Sequence, residues 1–460
     1  MKETLLSLTA CFVTTLAFAQ HSFIGIQNSP RKGMIHAAMN PAEINHLTRK
    51  VEVNLFAVGA TASNNTLTFR DIIKEGDLLD LALERAEARP IDASVEAHLL
   101  GPSFGFSVNK WSFGFLSQAV ATGNIMNLDA DLGGAFSDGG FRDEYYEVKI
   151  NSSSNQRVNV SGYAKLGLLA GREVWANEKN VITVGGSFNF FVPGVYVNMG
   201  LSDLQGTYMQ NQDESLLTNA SGRLDISYPQ DMENWDFEEQ MLDRFSLSNI
   251  SGFAMDLGVT HQFNKNGAAK LSSGLTIKNL GGLNLGSGQI DNSYAMAIPE
   301  GESFRLDLLE GDLDEIESQL LSSGYFTKSS LNGEPRASLP TIIGVYTDVH
   351  VSRIFHVSIY GQRRLSDQDG NDQLTVQNVF AITPRLKLGG FEIYSPWANY
   401  EVSGLTGGAG IRLGGFFVGS QSVLTGFLSD TQQVDVHLGL SLGFGKRKVE
   451  PDGFFSWGKQ

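Results

Sequence analysis

Apolar and polar residues alternate one by one along much of this chain. In the last such run Val436, Leu438, Leu440, Leu442 and Phe444 take every second position, with His437, Gly439, Ser441 and Gly443 between them. Side chains on a strand point alternately to opposite faces, so this segment predicts a strand with one greasy face and one small, polar face. The pattern recurs at Phe253, Met255 and Leu257 against Ala254, Asp256 and Gly258, and at Phe355, Val357 and Ile359 against His356, Ser358 and Tyr360. The runs are about 9 to 13 residues long, the length a tilted bilayer-crossing strand needs. Strands of water-soluble domains average about five or six.

A pass along the chain predicts about fourteen strands: 51–61, 96–108, 111–121, 157–169, 180–193, 251–263, 269–280, 338–350, 354–364, 372–382, 385–395, 400–413, 415–426 and 432–445. Residues 194–200 and 222–228 are ambiguous, which leaves the count between about twelve and sixteen. Thr383-Pro384 reads as a tight turn, and Gly389-Gly390 as a bulge where the apolar parity shifts. The connections alternate in length. Those at 62–95, 122–156, 201–250 and 281–337 are long, whereas Asn109-Lys110, 264–267, 351–353 and Gly414-Gly415 are tight. Long loops on one rim and short turns on the other are the habit of membrane barrels. An even strand number puts both termini on the short-turn side, expected to be periplasmic. Residues 69–90 and 304–321 carry apolar residues at helical spacing and predict short amphipathic helices over the outer mouth.

The N-terminus agrees with an exported barrel. Lys2, an apolar run from Leu5 to Phe18, and Ala17-Phe18-Ala19 before Gln20 read as a signal peptide over 1–19. The single cysteine, Cys11, falls within it, so the mature chain is expected to have no disulfides and no thiolate metal sites. The remaining chain divides into an N-terminal segment at 20–50, a barrel at 51–445 and a tail at 446–460. The formal charge of −16 excludes nucleic acid as a partner, because phosphates need Lys and Arg.

Ahead of the first strand stands Gly33-Met34-Ile35-His36-Ala37-Ala38-Met39-Asn40-Pro41-Ala42. A small and apolar run ending in Asn-Pro-Ala resembles the N-terminal hatch of the long-chain fatty-acid transporter superfamily and the related barrel of the type IX secretion system. Met255 to Thr260, Ser338-Leu339-Pro340-Thr341 and the closing Leu438 to Gly445 resemble an uncharacterised family of Bacteroidota outer-membrane barrels. The resemblance implies an all-β fold, a single antiparallel transmembrane barrel with an N-terminal hatch. Asn40, Pro41 and Ala42 are the only site residues it carries over. It implies binding or passage of small hydrophobic molecules at the outer membrane, in contact with its lipid. The alternative is an accessory barrel serving secretion or envelope proteins. Passage predicts a continuous apolar pocket beside the hatch; a filled lumen favours the alternative.

No chemical step, cofactor or metal is expected. Gly439-Leu440-Ser441-Leu442-Gly443 has the spacing of a nucleophile elbow, but Ser441 lies inside an alternating strand with no helix after it. The eight histidines lack metal-ligand spacing, with His350 and His356 six apart across a turn. Asp367 to Asp372 resembles a calcium loop but has Asp372 and Asn378 where such a loop needs Gly and Glu, and Asp369-Gly370 reads as a hairpin turn. The acidic outer loops, Asp231 to Asp243 and Glu310 to Glu317, read as a solvated face.

Overall fold

On the last strand the buried side chains are the polar ones. His437 is 0 % exposed and Ser441 is buried, whereas Val436 is 48 % and Phe444 55 % exposed. Phe253 is 63 % exposed beside a fully buried Ala254. This inversion of a soluble core follows when a sheet closes on itself with its apolar face outward. The computed structural model describes residues 23–446 except 74–77, 87–88, 131, 133–144, 212–213, 231–246, 266–267, 287, 310–312 and 331–334. The signal peptide, most of the tail and the acidic stretch Asp231 to Asp243 lie outside the described residues.

Fourteen antiparallel strands form the wall. They are β1 (Val51–Asn64), β2 (Ile91–Leu100, continued by Ser103–Val108), β3 (Trp111–Leu128), β4 (Gln156–Ala176) and β5 (Asn180–Asn211). Next come β6 (Gly252–Lys265), β7 (Ala268–Asn284), β8 (Arg336–Ser338, continued by Ile342–His350), β9 (Phe355–Arg364) and β10 (Val379–Leu388). The last are β11 (Phe391–Tyr394, continued by Trp397–Tyr400), β12 (Gly404–Gly407, continued by Ala409–Leu413), β13 (Phe416–Ser420) and β14 (Gln433–Phe444). The ring closes by pairing β1 with β14, from Val51 opposite Phe444 to Ser63 opposite Gln433. Trp111 and Trp175 stand exposed near tight turns, at the level where aromatic side chains mark a bilayer interface.

The strand expected at 372–382 is corrected. The wall strand runs Val379–Leu388, so Pro384 is inside it, and the turn is Gly389-Gly390 with Gly389 at φ +63. The β10–β11 ladder pairs 379–382 with 400–397 and 385–388 with 394–391. Pro384, which has no N–H to give, therefore stands at a gap in the ladder opposite Ser395-Pro396. The strand expected over 415–426 ends at Ser420, and Val423–Leu428 is a short helix.

Long connections rise from one rim, and their described residues are mostly β-structure. The upper part of β5 pairs with Tyr146–Ser152 on one side and with Glu214–Pro229 on the other. Glu214–Pro229 pairs with Gln289–Arg305, which pairs with Phe326–Ser330. The helix Leu313–Ser322 joins this outer sheet through Ile316 and Leu320, against Leu204, Tyr208, Met296 and Phe304. The helix expected at 304–321 therefore begins later, since Phe304 is still in a strand. The first long connection holds the helices Phe69–Ile73 and Leu78–Arg85. Strand β5 records where the wall leaves the bilayer. Lower down Val184 and Phe188 are exposed; further along Leu204 and Tyr208 are buried.

Candidate functional site

Residues 23–47 lie inside the ring. Their contacts reach polar faces around the barrel, from Glu52 on β1 and Gly185 on β5 to Asp348 on β8, Glu392 on β11 and Ser441 on β14. Only a position in the lumen, toward the short-turn rim, touches these strands together.

The segment is two short helices around a corner. Met34–Met39 is helical and ends at Asn40, whose backbone is extended at φ −141 and ψ 116. The residue before a proline is disfavoured in the helical region, which sets that corner. Pro41 then opens a 3-10 helix, Pro41–His46, where its missing N–H costs nothing. Asn40 caps it, its Oδ1 accepting from the Ala42 N–H at 2.9 Å. The other end of the same amide donates to two facing wall carbonyls, Val259 at 3.3 Å and Leu275 at 3.2 Å.

Close approach needs bare backbone. A Cβ on Gly258 would fall 1.9 Å from Asn40 Oδ1, and one on Gly185 2.5 Å from the Ala42 nitrogen. Gly105, Gly114 and Gly171 make the same room for Met34 and Ile44. Around this groove the apolar side of the segment, Phe23, Ile26, Ile35 and Ile44, packs on Leu100, Leu116, Leu169 and Phe417.

Charges fix the rest. Arg31 pairs with Glu52 at 3.1 Å, and Lys32 with both Glu43 and Asp348 at 3.2 Å. Ser29 Oγ donates to Glu392 at 2.8 Å and accepts from Arg412 at 2.7 Å. Arg385 pairs with Glu392 at 2.6 Å and donates to the Gly25 carbonyl at 2.7 Å. Removing one partner from such a buried pair costs about 3–5 kcal/mol.

The outer half of the lumen is crossed by a second segment. Residues 365–378, where Asp369-Gly370 was expected to be a hairpin turn leading into a strand from 372, fold inward instead. Arg157 on β4 donates to the carbonyls of Gln368 at 2.5 Å and Gln373 at 2.9 Å, and Asn371 donates to Asp225 at 2.6 Å. Gln377 reaches Ser63 on β1 at 3.0 Å. Buried backbone carbonyls need such donors, and Arg157 supplies them. Ser441, flagged by the elbow pattern, accepts from Arg31 at 2.9 Å.

One stretch of wall is not closed by strand pairing. Gly404–Gly407 of β12 pairs only with β11, and the start of β14 pairs only with β1. The helix Val423–Leu428 fills the space between them. Thr425 Oγ1 accepts from the Gly407 N–H at 3.2 Å, and Asp435 takes Ser420, Ser422 and the Gln421 N–H. Side chains thus replace the missing ladder. Phe427 at 83 % and Leu428 at 76 % exposure are turned away from the packed interior, and Leu405 on β12 is likewise exposed.

Sequence reasoning placed Asn40, Pro41 and Ala42 together, and they are adjacent in the groove. It missed Arg31, Lys32, Glu43, the glycines and the inward charges Arg385, Glu392 and Arg412. Charged residues on the small-residue face of a barrel strand were the available signal. Among the described residues two cavities measure about 170 and about 10 Å³. Neither is a continuous apolar pocket beside the segment: the larger is lined mostly by polar side chains such as Asn28, Lys32, Ser272, Asp348 and His356.

A closed ring with an apolar exterior and a filled polar lumen defines a β-barrel of the outer-membrane type. The chain belongs to the family of unknown function DUF5723, which matches residues 41–421. Among curated proteins none matches the chain. Solved structures to which it is similar include the translocator domain of the autotransporter NalP from Neisseria meningitidis, at 7 % identity and TM-score 0.34, covering 89 % of this chain and 94 % of that one. The Pseudomonas putida toluene transporter TodX matches at 10 % identity and TM-score 0.36, over 93 % and 96 %. A Pseudomonas aeruginosa FadL homologue matches at 9 % and 0.30, over 93 % and 96 %. Likenesses this distant carry no substrate across.

Proposed function

We propose that this barrel is a gated route for small apolar molecules between the lumen and the outer-membrane lipid. The interruption of the wall at Val423–Leu428 carries the reading. A ladder of backbone hydrogen bonds resists opening, whereas a six-residue helix held by Thr425 and Asp435 side chains has far fewer bonds to break. Its apolar Phe427 and Leu428 would meet acyl chains, where an emerging apolar molecule would be received. In this reading residues 23–47 are the hatch, with Asn40, Pro41 and Ala42 its corner, and the described state is closed.

The test is uptake of a small apolar fluorophore into vesicles holding the purified protein. A Ser403→Cys/Gln433→Cys pair spans the interruption, because these side chains hydrogen-bond at 2.8 Å. Joining the two thiols with a short bifunctional maleimide is expected to abolish uptake, and either single variant treated alike is expected to retain it. Uptake no faster than through empty vesicles, or unchanged by the cross-link, overturns the proposal. The filled lumen favours a second reading, an accessory barrel for secretion or envelope proteins. A protein copurifying stoichiometrically from native membranes, together with absent uptake, would support it.

A further inference from the structure

Five aromatic rings stand side by side on the outer wall near the short-turn rim. Phe104 and Phe106 on β2 pair across the ladder with Phe115 and Phe113 on β3, each pair with ring centroids 6.0 Å apart. Trp111 opens β3 at the rim and stacks on Phe113 at 6.0 Å. The alternate positions Ser103, Ser107 and Ser112 are buried, so the rings point away from the lumen. A tryptophan at the end of such a strand marks the headgroup level, and the phenylalanines beyond it lie at acyl depth.

Cations stand at the tryptophan end. Arg172 on β4 is the ladder partner of Trp111, and its guanidinium lies 5.0 Å from the indole ring centroid. That stacking holds a long side chain in place above the rings. Lys110, in the turn before Trp111, pairs with Glu173 at 3.1 Å. The Glu173 N–H donates to the Lys110 carbonyl, and the Ser107 N–H to the Lys50 carbonyl, which sets Lys50, Lys110 and Arg172 in one row along the rim. Lys179 follows in the turn before β5, and all four are exposed. Among the described residues Lys50, Arg172 and Lys179 have no ion-pair partner, and the exposed acid in the row is Glu178. Composition does not account for the row. The chain carries a formal charge of −16, and the turns across the ring, Gly389-Gly390 and Gly414-Gly415, carry no charge.

An occupant has to answer both halves of this surface. The rings call for acyl chains, and Arg172 with Lys110 calls for a negative head at their level. A guanidinium grips phosphate oxygens through two parallel N–H donors, and an ammonium adds a point charge. A soluble anion leaves the rings bare, and a zwitterionic lipid brings its own cation against the row. We infer that the wall at β2–β4 is a binding site for an anionic phospholipid, with its chains on Phe104, Phe106, Phe113 and Phe115 and its phosphate on Arg172 and Lys110. The site does not depend on the passage reading, since the helix Val423–Leu428 lies at the long-loop end of the wall.

The test is native mass spectrometry of the whole barrel released from detergent micelles doped equally with dioleoyl phosphatidylglycerol or dioleoyl phosphatidylcholine. The chains are identical, so any difference reads the head. Each Lys or Arg beside an anionic lipid is worth roughly fivefold in binding, and Glu173 offsets part of Lys110. One phosphatidylglycerol is therefore expected to stay bound about tenfold more tightly than phosphatidylcholine. The double variant Lys110→Gln/Arg172→Gln is expected to remove that preference, whereas Arg353→Gln in the β8–β9 turn keeps it. Heat-dependent gel mobility checks that each variant is folded. Should the double variant fail to fold, Arg172→Gln alone replaces it, with the preference expected to fall about threefold or more. Equal retention of the two lipids overturns the inference, as does displacement of bound phosphatidylglycerol by an equal amount of lipid A. A preference unchanged in the folded double variant, or lost equally in Arg353→Gln, overturns the location.

Discussion

At Asn40 one amide does two jobs, turning the chain and tying it to two wall carbonyls. That economy depends on glycine opposite it. Gly258→Ala would place a methyl where Asn40 Oδ1 stands, with rigid backbone on both sides. The expected result is release of residues 23–47, read as new protease cleavage within that segment while the wall keeps its heat-dependent gel mobility. Three titrating groups in the segment set a pH range. Burial, with Lys32 and Arg412 nearby, holds the His36 imidazole well below its ordinary 6.5. Burial opposes ionisation of Glu43, but Lys32, His46 and the Tyr346 hydroxyl outweigh it and lower the carboxyl below 4.5. Burial likewise opposes the Lys32 charge, and Glu43 and Asp348 raise it above 10.5 regardless. A base depressed on docking loses stability as pH falls below its free value, and so does a depressed carboxylate; a raised lysine loses it only as pH climbs past 10.5. Docking is therefore expected to be firmest between about 6.5 and 10.5 and to loosen in acid in two steps, first through His36 and then through Glu43. Cleavage of the segment measured against pH checks this. The Asn-Pro-Ala corner was legible because proline constrains its neighbour locally. The partners of Arg31 and Lys32 were not, because Ser441 and Asp348 come from strands hundreds of residues away.

Single strands were legible wherever lipid faces one side and the lumen the other, since that enforces a strict period of two. The misreading at β10 has a local cause. Pro384 looked like a stop, yet the β10–β11 ladder is already interrupted beside it at Ser395-Pro396, so no bond is lost. The true turn uses Gly389 at φ +63, a left-handed conformation that costs other residues about 1–2 kcal/mol. Gly389→Val is expected to lower stability by at least that amount, and Gly390→Ala by much less, in the denaturant midpoint of refolded barrel. The helix at Val423–Leu428 was hidden because it spans six residues, too few for the helical spacing of Val423, Leu424, Phe427 and Leu428 to stand out from the strand before it.

At the scale of the whole molecule two environments meet in one chain. The wall buries polar residues, and the outer sheet buries apolar ones. Because the outer core of Leu204, Tyr208, Met296, Phe304 and Leu320 shares few residues with the lumen, it is expected to unfold separately. Leu320→Ala should cost about 2–5 kcal/mol there, exposing the amides of Leu313–Ser322 to hydrogen exchange while those of β14 stay protected. The long connections were recognisable as ordered from their apolar content. Their strands were not, because a soluble sheet's pairing is set by tertiary contacts that leave no strict period.

Arg31 holds Glu52 on the first strand and Ser441 on the last, the two that meet at the seam. Biogenesis therefore couples two events. The segment gains its full set of contacts only when the seam forms, because Arg31 grips both lips of the join. Closing the cylinder and seating its leading residues are thereby coupled, each completing the other's bonds.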